Sequence, residues 1–62
     1  MATESRLFDS CKQTRIAIQR LEEAGFDPGQ IGSGTRLVMV MAEDDMADLA
    51  REILREVDHE TR

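Results

Sequence analysis

Cysteine and histidine are nearly absent from this chain, which has one of each among its 62 residues. The single cysteine, Cys11, excludes a disulfide within the chain, and the single histidine, His59, argues against a zinc site. Domains of this size bury little surface and often depend on a disulfide, a metal or a second subunit for stability. With the disulfide and the metal set aside, we expect a second subunit.

Long apolar runs are also missing. No stretch approaches the roughly 20 apolar residues that a membrane-spanning helix needs. Residues 1–6 lack the order of a signal peptide, in which basic residues precede an apolar segment. We therefore expect a cytoplasmic protein with no membrane partner.

Positive net charge is absent as well. The chain carries 13 acidic and 8 basic side chains, for a net charge of −5. This charge repels the phosphates of nucleic acids and anionic lipids, so direct nucleic-acid binding is not expected. Such a charge is ordinary for a soluble small domain, with net charges of about 2 to 8. The alternative is an acidic surface that mimics nucleic acid or binds a basic partner.

The first elements are a short strand and a helix. The apolar pair within residues 6–9 predicts an edge strand. Ser10 and Gln13 have the spacing of a capping box, so a helix should begin near Cys11. One stripe of this helix recurs at steps of three and four residues and consists of Thr14, Ala17, Ile18, Leu21 and Ala24. Gly25 then supplies the left-handed residue that ends such a helix, which folds Phe26 back onto it.

A turn and a hairpin follow. Residues 27–29 combine proline and glycine, which end the helix. Residues 32–34 form a glycine-containing loop between two apolar segments, a pattern that predicts a hairpin. The second strand, residues 36–41, is apolar on both faces, with Leu37, Met39 and Met41 on one side and Val38 and Val40 on the other. A strand of this kind is expected to be covered on both faces.

The last helix has the most regular pattern in the chain. Its apolar stripe is Met46, Leu49, Ala50, Ile53, Leu54 and Val57. Acidic residues 43–45 occupy its first turn, where carboxylates stabilise the helix dipole. The spacing of Asp48 with Arg51, and of Glu52 with Arg55, predicts two ion pairs along the helix. Residues 58–62 are expected to fray.

Together these elements give the order βαββα in one domain, residues 1–62, with an ordered core over about 6–57. The right-handed crossover rule places both helices on one face of a three-stranded sheet. The most apolar strand should be central, so the strand order is 1-3-2. The predicted fold class is α+β, a two-layer sandwich.

The chain resembles a known family over residues 6–57. The resemblance lies in residues 21–26, which close the first helix, then a short hairpin, the apolar strand 37–40 and the acidic start of the helix over 42–54. This pattern is similar to a small bacterial family of signal-transducing proteins. The family's βαββα core is related to the ferredoxin-like nitrogen-regulatory proteins. The resemblance implies a regulatory role, but no nucleotide site, because the effector-binding loop of the nitrogen regulators is missing.

No residue pattern predicts a catalytic, cofactor or metal site. Cys11 lies beside Lys12 at a helix start, which favours a reactive thiol, but without a second cysteine we interpret it as a small, semi-buried residue. Residues 32–34 precede a strand, whereas phosphate-binding glycine loops precede a helix. Asp44, Asp45 and Asp48 lack an enclosing loop for a cation. The methionines Met39, Met41 and Met46 are expected in the core.

The predicted sheet nevertheless exposes an apolar face. Two helices cover one side only, so either Val38 and Val40, or Leu37, Met39 and Met41, should contact water. Ile16 should also lie on the solvent side of the first helix. Exposed apolar patches on small proteins usually mark association.

Two functional hypotheses follow. The first is a noncatalytic regulatory module, in a bacterial or phage setting, that dimerises or docks a protein partner through its open sheet face or an edge strand. The second is an acidic inhibitor that occupies a nucleic-acid-binding surface of another protein. Its phosphate mimics would be Glu43, Asp44, Asp45, Asp48, Glu52 and Glu56. A redox or small-molecule enzyme acting through Cys11 is a third hypothesis, ranked below these two.

Overall fold

The computed structural model describes residues 2–61. In chain order the elements are β1 (Ala2–Leu7), α1 (Cys11–Glu23), a short 3₁₀ helix (Pro28–Gln30), β2 (Ile31–Ser33), β3 (Leu37–Ala42) and α2 (Asp44–Glu60). The three strands form one antiparallel sheet in the order β1-β3-β2. The predicted α+β class and the 1-3-2 order are confirmed.

Strand β1 begins earlier than the sequence indicated. It spans Ala2–Leu7 instead of residues 6–9, and it pairs with β3 over its whole length. Its polar composition concealed it, because Glu4 and Arg6 face the helices and form ion pairs with α2 there. Phe8, expected in the strand, follows it and is buried in the core.

Helix α1 has the predicted start and end. The backbone N–H of Gln13 donates to the hydroxyl of Ser10, and the Gln13 side chain accepts from the backbone N–H of Ser10, which completes the capping box. At the other end, Gly25 has φ +105°. The N–H of Phe26 donates to the carbonyl of Leu21 at 3.1 Å, as in a Schellman motif. Local signals therefore fix both ends of this helix.

The hairpin between β2 and β3 is shifted along the chain. Residues 32 and 33 lie inside β2, and the turn spans residues 34–36 instead of 32–34. The N–H of Gly34 donates to the carbonyl of Leu37 at 2.8 Å and closes the turn. Ladder pairing with β3 thus outweighs the local turn preference of glycine.

The core lies between the sheet and the two helices. Val38 and Val40 of β3 are fully buried there, because their side chains point toward the helices. Around them pack Phe8, Ala17, Leu21, Phe26, Ala42, Ala50, Leu54 and Val57. Met39 and Met41, expected in the core, point to the other side and are exposed, so that expectation is wrong.

Helix α2 is longer than predicted, and its buried stripe is shifted. It runs to Glu60, and Ala47 is buried where Leu49 was expected, with Leu49 40% exposed. The end of the helix is held in place, because Asp58 is buried and forms an ion pair with Arg6. Of residues 58–62, which were expected to fray, residues 58–60 continue the helix, and residue 62 lies outside the described residues.

The two helices have 13 and 17 residues, fewer than the roughly 20 apolar residues of a membrane span. Among residues 2–61, neither helix is both long enough and apolar enough to cross a bilayer.

Candidate functional site: the open face of the sheet

The sheet face that points away from both helices carries a cluster of exposed apolar side chains. Leu7 is 67% exposed, Leu37 38%, Met39 41% and Met41 48%. The strand register places Leu7 directly opposite Leu37. We call this surface, which also includes Thr3, Ser5 and Gly32, the open face.

The open face has no charged side chain among the strand residues that the structure describes. Alternation along the strands directs Glu4 and Arg6 to the helix side, where both are ion-paired with α2. In a chain with 34% charged residues, the charged side chains are thus clearly segregated from this face. The charges of the molecule are therefore carried by its other surfaces.

The centre of the open face is adaptable. Met39 lies opposite Gly32 of β2, and a β-carbon added at Gly32 would meet no atom within 4 Å. The thioether of Met39 consequently has open space beside it. Methionine side chains are flexible and polarizable, so they fit partners of different shape.

The sequence could not decide which side of β3 is open. Leu37 and Met39 are accessible, whereas Val38 and Val40 are fully buried, so the latter two cannot contact a partner. The expectation that Ile16 lies on the solvent side of α1 is also wrong, since Ile16 is half-buried and packs against the core. It lines a hollow of about 260 Å³ with Ser10, Lys12, Gln13 and Thr61.

The acidic residues form a second surface, on and beside α2. All six predicted members are exposed: Glu43, Asp44, Asp45, Asp48, Glu52 and Glu56. The two predicted ion pairs are present, with Asp48 and Arg51 at 3.3 Å and Glu52 and Arg55 at 2.6 Å. The hydrogen bond to Glu52, together with its charge, raises the pKa of Arg55 above its ordinary value. Part of the negative charge of this surface is thus neutralised by arginines of the same helix.

Cys11 and His59 lie apart from the open face. Cys11 was expected to be semi-buried but is exposed, because it lies at the first turn of α1. His59 lies in the last turn of α2 and lines a depression of about 390 Å³ with Arg55, Glu56 and Glu60. Among residues 2–61, no group of three cysteine, histidine or acidic side chains is placed to hold a metal ion.

Leu7 is the member of the open face that sequence reasoning missed. The predicted strand included Leu7, but only the register of β1 against β3 places it beside Leu37. Comparisons with protein-family models, with curated proteins and with solved structures find no match for this chain.

Proposed function

We propose that this chain is a small noncatalytic interaction module that self-associates through its open face. The observation that supports the proposal is the apolar cluster of Leu7, Leu37, Met39 and Met41, four large side chains in water on one side of a three-stranded sheet. Such a patch on a domain of this size is typical of an association surface. The resemblance to bacterial signal-transducing proteins supports a regulatory role for this module.

A second copy is the occupant that the charges favour. Two chains of net charge −5 repel each other unless their contact directs the charges outward. Contact between two open faces does so, because Glu4 and Arg6 point to the helix side of each sheet. A basic or acidic partner would find no opposite charge on this face.

The size of the face sets the expected affinity. Six residues of strand extend roughly 20 Å, and three strands span about 14 Å. This footprint is smaller than the roughly 800 Å² per partner of a standard stable complex. We therefore expect a reversible dimer, with a dissociation constant in the micromolar range.

Sedimentation equilibrium from low micromolar to near millimolar concentration tests the proposal. Met39→Lys places a charge at the centre of the open face, so it should abolish association through that face. Gln19→Lys adds the same charge at an exposed position of α1 and should leave the dimer intact. A wild-type chain that is monomeric throughout, or a dimer indifferent to Met39→Lys, would contradict the proposal.

The acidic surface supports a second candidate function, an inhibitor that occupies a nucleic-acid-binding surface of another protein. Glu43 to Glu56 span about 20 Å of helix, a length comparable to several phosphates. A basic partner held in this way should dissociate as salt is raised, whereas apolar docking should change little. Binding of an immobilised basic nucleic-acid-binding domain, measured at low and high salt, separates the two functions.

A further inference from the structure

The outer edge of β1 carries unpaired backbone groups. Within residues 2–61, β1 pairs only with β3, so its other side has no neighbouring strand. The opposite edge of the sheet is formed by β2, which has three residues. Natural sheets protect their edges with very short strands, prolines, bulges, charged side chains on the edge or charged side chains that point inward. The edge at β2 is short, whereas that at β1 runs the full length of the sheet.

Two hydrogen bonds establish which residues of β1 face outward. The N–H of Phe8 donates to the carbonyl of Arg36 at 2.7 Å, whereas the carbonyl of Leu37 accepts from Gly34 on the β2 side. Bonded and unbonded pairs alternate along an antiparallel ladder. Leu7, paired in register with Leu37, therefore directs its N–H and C=O away from β3. By the same alternation, so do Ser5 and Thr3.

Several of the usual protections are missing from β1, and the two inward-pointing charges that it does carry are neutralised by partners on α2. Residues 2–7 contain no proline, and their one-to-one register with β3 leaves no bulge. Its two charged side chains are held on the helix side, since Glu4 accepts from Arg51 at 3.1 Å and Arg6 donates to Asp58 at 2.6 Å. Neither side chain extends across the edge. The outward backbone groups of β1 are thus accessible to another extended strand.

We propose that β1 pairs antiparallel with β1 of a second copy across a two-fold axis, joining two sheets into one of six strands. The inference rests on the proposed function, because it assigns a further self-contact to the same module. In a symmetric pair, the residues whose N–H and C=O point outward on one strand must lie opposite the same kind of residue on the other. The register can therefore shift only in steps that keep this match. For strands of this length, the axis then passes near Glu4 or through Ser5.

Charge selects the register centred on Ser5. An axis at Glu4 would place the two Glu4 side chains directly opposite each other, which destabilises a strand pair. With the axis at Ser5, Glu4 lies opposite Arg6 of the second copy. Together with the ion pairs inside each chain, this creates a row of alternating charge: Arg51, Glu4, Arg6 of the second copy and Asp58 of the second copy. The edge of β1 is therefore complementary to itself.

The edge contact and the open face use different groups. Pairing at β1 engages backbone N–H and C=O groups, about six hydrogen bonds in this register. The apolar side chains of Leu37, Met39 and Met41 stay exposed and become part of a face twice as large. Both contacts can therefore form together, in an assembly of four copies.

Cysteine cross-linking tests the register directly. In a background with Cys11→Ser and Met39→Lys, the second of which removes contact between open faces, Ser5→Cys places two thiols on the axis, with α-carbons about 5.5 Å apart, a separation that a disulfide spans. The matched variant Thr3→Cys in the same background separates its thiols by about 14 Å along the strands. Oxidation should give a covalent dimer with the Ser5→Cys variant only. Equal cross-linking of both variants, or none of Ser5→Cys, would overturn the proposal.

Ser5→Pro tests the edge by a second route. Proline removes the outward N–H of residue 5 and leaves the bonds to β3 unchanged, since the N–H of residue 5 is not part of that ladder. We expect association at the edge to weaken by at least about tenfold, while Ser5→Ala has little effect. An unchanged dissociation constant for a folded Ser5→Pro chain would contradict the inference.

The two self-contacts fail separately. If the face is used and the edge is not, Met39→Lys gives a monomer and Ser5→Pro changes nothing, which overturns the edge contact alone. If the edge is used and the face is not, Ser5→Pro gives the monomer, and the cross-link of the Ser5→Cys variant survives Met39→Lys. When both are used, each variant gives a dimer and the double variant gives a monomer.

Discussion

Arg6 in β1 and Asp58 in the last turn of α2 lie 52 residues apart in the chain and form an ion pair with 2.6 Å between nitrogen and oxygen. The Asp58 side chain is 8% exposed. This contact fastens the edge strand to the end of α2, so the two ends of the described chain stabilise each other. A short polar strand is held in the sheet by a charge from a helix.

Loss of this pair should be costly. Asp58→Ala leaves Arg6 without its carboxylate in a partly buried place, and we expect the free energy of unfolding to fall by about 1 to 3 kcal/mol. The comparison is Glu60→Ala, which removes the exposed pair with Arg20 and should cost much less, because solvent screens that pair. Urea unfolding followed by circular dichroism measures both. Equal losses for the two variants would show that burial of Asp58 adds nothing.

Gly25 ends α1 in a conformation that other residues avoid. Its φ is +105°, and an added β-carbon would meet no atom within 4 Å, so the backbone alone opposes substitution. Gly25→Ala should therefore lower the free energy of unfolding by about 1 to 2 kcal/mol. Gly29 has similar free space without the positive φ. Gly29→Ala should leave stability unchanged or raise it by up to about 1 kcal/mol in the same denaturation assay.

The sequence predicted those features of the fold that depend on neighbouring residues. Ser10, Gln13 and Gly25 fixed the ends of α1 through hydrogen bonds within a few residues. The two-layer arrangement also followed, because the crossover rule places both helices on one face of the sheet. The start of β1 could not be predicted, since Glu4 and Arg6 are polar residues whose partners lie in α2, far along the chain.

The open face could be predicted only as one of two alternatives. Both sides of β3 are apolar, so hydrophobic alternation cannot show which side the helices cover. The packing of α1 and α2 decides it, and this packing buries Val38 and Val40 while leaving Met39 in water. Its fourth large member, Leu7, joins the face only through the register with β3, a long-range property.

Neighbouring residues of β3 should respond very differently to truncation. Val38→Ala opens a cavity in a fully buried position and should cost about 2 to 3 kcal/mol. Met39→Ala removes a side chain from an exposed position and should change stability by less than about 0.5 kcal/mol. Guanidinium unfolding at protein concentrations low enough to keep the chain monomeric makes the comparison. Similar costs at the two positions would contradict the assigned faces of the sheet.

Gln13 should contribute more to stability than the cap residue with which it pairs. Its side chain accepts from the N–H groups of Asp9 and Ser10 and donates to the hydroxyl of Thr61, so one buried amide joins the start of α1 to the end of α2. Ser10→Ala removes only one hydrogen-bond acceptor for the helix and should cost about 1 kcal/mol.

Gln13→Ala leaves two backbone donors without this acceptor and breaks the contact with Thr61, so it should cost about 2 to 3 kcal/mol. Hydrogen exchange separates the two effects, because only Gln13→Ala should speed exchange in the last turn of α2. Thr61→Val provides the control: it should reproduce the faster exchange at α2 and leave the first turn of α1 protected. If Thr61→Val left exchange at α2 unchanged, the link between the two helix ends would contribute nothing to their order.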